Sequence, residues 1–172
     1  MSTTIYVLDT SYLIEIADCD GFSQPKAVAE VRKRLKNAAA KGARFFVPLP
    51  CLFELGNHIA DVKHAVRRHE LAQWLLSSVK NSLTKRTPWH ITPTGNPESI
   101  LPSLMDQFVP LAAKRSVGLV DTFTIAEAKR LKASHERTKL KVHIWTNDSD
   151  LKEHEPDKEV GAFLWKSDGT PR

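Results

Sequence analysis

Three short apolar runs, Ile5-Tyr6-Val7-Leu8, Phe45-Phe46-Val47 and Val142-His143-Ile144-Trp145, punctuate a chain otherwise made of longer stretches with helical spacing. Runs this short and this rich in branched and aromatic residues suit strands buried on both faces, as in a parallel sheet. Between the first two, from Lys26 to about Lys41, apolar Ala27, Val28, Val31, Leu35, Ala38 and Ala39 recur at helical spacing, with Gly42 as the stop. After the second run, which Pro48 and Pro50 close, helices are predicted from Leu52 to about Val62 and from about Ala65 to Leu83. The latter should turn Val66, Leu71, Leu75, Leu76, Val79 and Leu83 inward. Residues 98–116, interrupted by Pro102 and Pro110, read as two short helices or one broken one, and Thr122 to about Ala133 as a further helix. Residues 161–165 have the pattern of a last strand. Strands alternating with helices in this way predict an α/β fold around a mostly parallel central sheet.

The length, 172 residues, fits a single domain over 1–172, with an irregular proline-rich loop at about 87–98. A net charge of +5 and a pI near 9.3 permit a polyanionic partner without requiring one. The two cysteines, Cys19 and Cys51, are too few for a disulfide framework and lack zinc-ligand spacing, so they read as small apolar packers. No stretch approaches the ~20 apolar residues that span a bilayer, and the N-terminus carries no basic leader, so the expected location is cytoplasmic, with no membrane partner.

The acids fall in telling places. Asp9 ends the first run, Asp148 follows the Val142 run, and Asp121 lies where an apolar stretch passes into a helix. Glu54 comes one turn into the segment after the second strand. In open parallel sheets, sites form in the crevice outside the carboxyl ends of the strands, so these side chains should converge on one rim. Taken singly, each has a structural reading: Asp9 and Asp121 as helix caps, Asp148 and Asp150 as turn formers, Glu54 as a solvated helix residue. A box formed by Thr124 and Glu127 would leave Asp121 less needed as a cap. Carboxylates brought within ~4–6 Å of each other repel unless a cation neutralises them, and oxygen-seeking Mg²⁺ or Mn²⁺ answers that need.

The motifs resemble those of the PIN-domain nucleases. The resemblance rests on Val7-Leu8-Asp9-Thr10-Ser11, on Phe53-Glu54-Leu55, on Val120-Asp121-Thr122-Phe123-Thr124-Ile125-Ala126, and on Trp145-Thr146-Asn147-Asp148-Ser149-Asp150-Leu151. Within that family the chain is most similar to VapC-type toxin ribonucleases, with added length around Pro88 to Pro97 and Lys132 to Lys141. The resemblance implies a three-layer α/β/α sandwich and Mg²⁺- or Mn²⁺-dependent cleavage of RNA. It implies that Asp9, Glu54, Asp121 and Asp148 hold metal directly or through water, with Asp150 close by as an alternative fourth ligand. Ser11 and Thr146 would steady a carboxylate or a phosphate, or serve as ordinary turn caps. Implied partners are an RNA substrate, a cognate antitoxin protein and a second copy of the chain.

Basic residues cluster at Arg32-Lys33-Arg34, Lys63 to Arg68, Lys80 to Arg86, Lys114-Arg115 and Lys129 to Lys141. Most should be solvated helix faces, with a minority near the acidic rim gripping phosphate. Trp89 reads as a loop-to-core anchor ahead of a stacking platform for bases. The seven histidines show no zinc spacing and are assigned no role. A phosphatase of the haloacid dehalogenase type would need a second Asp two residues after Asp9, where this chain has Ser11. The remaining alternative is a catalytically silent PIN-like module that binds RNA or protein.

Overall fold

The structure, a computed structural model, describes residues 4–92, 96–113, 117–135 and 139–172. Four strands, β1 (Thr4–Leu8), β2 (Arg44–Pro48), β3 (His90–Thr92) and β4 (Lys141–Trp145), pair in parallel in the order β3-β2-β1-β4. Helices α1 (Thr10–Ala17) and α2 (Pro25–Ala40) connect β1 to β2, and α3 (Leu49–Ala60) and α4 (Ala65–Lys85) connect β2 to β3. α5 (Pro97–Ala113) and α6 (Leu119–Ala133) lead to β4, and α7 (Ser149–Glu153) follows it.

Strand alternation explains the layers. Tyr6, Leu8, Phe45, Val47 and Trp145 face a core shared with α1 to α4, while Ile5, Val7, Phe46, Val142 and Ile144 face a second core formed with α6 and α7. The result is an α/β/α sandwich with an all-parallel sheet. The chain steps outward from β1 to β2 to β3, then crosses back to lay β4 on the other side of β1. That reversal opens a crevice at the carboxyl ends of β1 and β4, the position where parallel sheets form sites.

β4 is an edge strand, and its outer backbone is satisfied by side chains instead of a fifth strand. Asp157 accepts from the Val142 amide at 2.8 Å, Glu155 from the Ile144 amide at 3.2 Å, and Lys152 donates to the Ile144 carbonyl at 2.7 Å. Covering an edge in this way blocks pairing with another chain. Residues 161–165, expected as a last strand, instead form a strap whose ladder contact is a single bridge between Trp165 and Pro171. The strap holds because Tyr12 donates its hydroxyl to the Phe163 carbonyl at 2.8 Å and Trp165 packs edge-on against Tyr12.

Other expectations need correction. The loop at about 87–98 contains β3, and α5 starts at Pro97; residues 93–95 lie outside the described set. β3 is three residues long and paired to β2 on one side, so its order comes from tertiary pairing that a breaker-rich sequence hides. Residues 98–113 belong to one helix that keeps Pro102 and Pro110 inside it. On α4, Leu71, Leu75, Ser78 and Ser82 form the inward stripe, and Val66, Leu76 and Leu83 are exposed. Those three lie roughly a third of a turn or more around the helix from that narrow stripe. No helix among the described residues is long and apolar enough to cross a membrane.

Candidate active site

At the carboxyl end of β1 the chain turns directly into α1, and Asp9 is the residue at the corner, with extended backbone and its side chain capping the helix. Three donors converge on its Oδ2: the Ser11 amide at 3.3 Å, the Ser11 hydroxyl at 2.8 Å and the Thr146 hydroxyl at 3.0 Å. Thr146 in turn accepts from the Asp148 amide, and Ser11 Oγ accepts from the Asn147 amide. These links clamp the exit of β4 onto the exit of β1. Both hydroxyls therefore steady a carboxylate, one of the roles expected of them.

The other acids arrive from separate elements. Glu54, on the second turn of α3, accepts from the Thr10 hydroxyl at 2.6 Å. Asp121, in the first turn of α6, accepts from the Gly118 amide at 2.9 Å. No strand precedes it among the described residues; α6 begins at Leu119, so Asp121 itself closes the helix start. Thr124 and Glu127 sit inside that helix and form no box at its start: Thr124 bonds back to the Val120 carbonyl, and Glu127 is buried against Thr92 and Arg130. Asp148 caps α7 by accepting from the amides of Asp150 and Leu151.

Asp9, Glu54, Asp121 and Asp148 all line one open cleft of about 500 Å³, together with Thr10, Ser11, Ile14, Asn57 and His58. Asp150 does not line it; it is exposed on α7 and contributes its amide to Asp148. Burial drives the Asp9 carboxyl above its usual range, against the pull of the Ser11 and Thr146 hydrogen bonds. Burial also raises Asp121, the Gly118 amide opposes it, and the charges of Asp9 and Asp148 push it further up. The acids thus repel one another across the cleft. Even so, among the described residues no three His, Cys, Asp or Glu groups are gathered tightly enough to form a ready metal-ligand set. Each carboxylate leans on its own local donor.

No family model matches this chain, and no curated protein matches it significantly. The chemistry is therefore read from the cleft itself. Its lining offers four carboxylates, two hydroxyls, an amide side chain and one imidazole, and includes no Lys or Arg among the described residues. That donor set is oxygen-rich and suits a hard divalent cation that keeps several waters.

Sequence reasoning missed Asn57 and His58. They lie three and four residues after Glu54 on the same helix, which places them on its cleft-facing side. His58 packs against Phe22, with ring centroids 4.7 Å apart. Trp89 is buried against Trp74, so it is an anchor and offers no stacking platform. Most of the basic clusters are tied down locally: Arg34 to Glu30, Arg67 to Asp20, Arg130 to Glu127 and Lys132 to Asp157. Lys114, Arg115 and Arg137 lie outside the described residues.

Proposed function

We propose that this chain is a metal-dependent endoribonuclease of the PIN type, with Asp9, Glu54, Asp121 and Asp148 as its ligand set. The observation that carries the reading is that four acids from four different elements line a single cleft at the point where the strand order reverses. A cleft lined by carboxylates, with no Lys or Arg among the described residues, repels a phosphodiester, so a divalent cation is needed for substrate to approach. When bound, Mg²⁺ or Mn²⁺ supplies charge neutralisation and activation of water for attack on phosphorus.

The chain's own residues supply the positioning. Ser11 and Thr146 hold Asp9 in one orientation, and Thr10 does the same for Glu54. Holding a ligand's orientation from behind in this way is worth about 10–100-fold in affinity or activity. Asn57 and His58 line the cleft from α3, and in this reading they are the side chains that would contact the phosphate or the leaving oxygen of the RNA. A cytoplasmic toxin, a cognate antitoxin and a homodimer belong to the same reading; a small DNA-binding protein encoded alongside would support the first two.

One observation favours a second reading, a silent module that holds RNA or protein. Each acid already has a local partner, and the described residues contain no closed ligand set. Incubation of the purified chain with a mixed-sequence RNA, in Mg²⁺ and in Mn²⁺, separates the two. Metal-dependent fragments that vanish with Asp9→Asn support the nuclease. RNA left intact by the folded wild type in both metals supports the module.

A further inference from the structure

At the amino ends of β2 and β3, the opposite end of the sheet from the acids, a second cavity of about 430 Å³ opens beside the β3 edge. Arg44, Arg86, Arg130, His90 and His135 line it, and no carboxylate does among the described residues. The charge of Arg130 is met by Glu127, with Nη2 2.9 Å from Oε2. Arg44 and Arg86 make no ion pair among the described residues. Arg44 Nη2 lies 3.4 Å from His135 Nε2, while its Nε is buried and has no hydrogen-bond partner. A buried guanidinium N–H left unsatisfied costs more than a neutral one, because a charge has been taken out of water without compensation.

We propose that this cavity binds a phosphate group, held by the guanidiniums of Arg44 and Arg86 with His90 beside them. A guanidinium presents parallel N–H groups that match two phosphate oxygens, and Arg44 and Arg86 bring two such groups to one cavity. The volume exceeds what phosphate alone fills and falls in the range of small-molecule sites, so the phosphate of a nucleotide or of an RNA terminus also fits. Phe46, stacked on His90 at 4.7 Å and 14°, and Ile91 give the cavity an apolar wall for the remainder of such a ligand. In support, burial first and then the charges of Arg86 and Arg44 hold the His90 imidazole below its usual range, so both guanidiniums project their field onto one spot.

The test is titration of the full chain with inorganic phosphate, a nucleoside monophosphate, and a short RNA with and without a terminal phosphate. Binding is followed by calorimetry and by the His90 imidazole resonances. The expected result is saturable one-to-one binding that moves the His90 resonances and weakens about tenfold or more in Arg86→Asn. Asn suits the left-handed backbone at that position (φ 55°), so the variant should fold. The exposed Lys33→Gln should bind as the wild type does, and so should Asp9→Asn, which separates this site from the acidic cleft. The tightest of the four ligands identifies the source of the phosphate. Absence of saturable binding by any of them overturns the proposal, as does equal weakening by Arg86→Asn and Lys33→Gln, which would mean diffuse surface charge.

Discussion

Asp9 shows how one side chain serves two purposes. It caps α1, and it is held by Ser11 and Thr146 with its carboxyl turned to the cleft lining. Because burial disfavours its charged form, Asp9→Asn should leave the melting temperature unchanged or slightly raised in metal-free buffer while abolishing cleavage. A collapsed circular-dichroism spectrum would show instead that the charge is structural. Thr10→Val tests the next link: loss of its 2.6 Å bond to Glu54 should cost about 1–2 kcal/mol in denaturant unfolding and on the order of tenfold in cleavage. Asp9 could be picked out from sequence because it falls where a strand has just ended, and Glu54 because it comes a turn into the helical segment that follows one. His58 carries no zinc spacing, and the sequence signal that points to it is its separation of four residues from Glu54 on one helix.

At the level of elements, β4 and the residues after it form a unit held by charge. Lys152 bridges Glu155 and Glu159, both at 2.7 Å, and Glu155 also accepts from the Ile144 amide. Burial alone would raise Glu155, but the His143 ring 3.7 Å away and the bonds from Lys152 and the Glu159 amide bring it down from 4.5 to about 2. The folded-state value is the lower one, so the contribution is complete above about pH 4.5 and is lost as pH falls toward 2. Screened by solvent, it amounts to on the order of 1–3 kcal/mol. Glu155→Gln should therefore flatten the acid limb of the unfolding free energy measured against pH. The strap gives a second prediction. A Cβ on Gly169, at φ +78°, would meet Gln24 Cβ at 2.9 Å and the Ala27 amide nitrogen at 3.0 Å. Gly169→Ala should lower stability by at least about 1–2 kcal/mol in thermal unfolding. Elements with strong periodicity, β1, α2 and β4, were legible in the sequence to within a residue or two. β3 and the strap were not, because a three-residue strand and a hydrogen-bonded loop take their order from distant partners such as β2 and Tyr12.

Across the whole molecule, the α/β/α architecture was legible because alternating short apolar runs and amphipathic stretches admit few other arrangements. Strand order was not, since nothing local says on which side of β1 the last strand lands; yet that order places Asp9 and Asp148 next to each other. The cleft and the cationic cavity then lie at opposite ends of one sheet, so loss of charge in one should not disturb the other. The most direct measurement is Mn²⁺ binding to the folded chain, read by electron paramagnetic resonance of the free ion. Saturable uptake by the wild type, lost in Asp9→Asn and Asp121→Asn while Asp150→Asn keeps it, is the predicted result. Uptake that is absent in the wild type, or unaltered in the Asp9 and Asp121 variants, would contradict a shared cation among these four carboxylates.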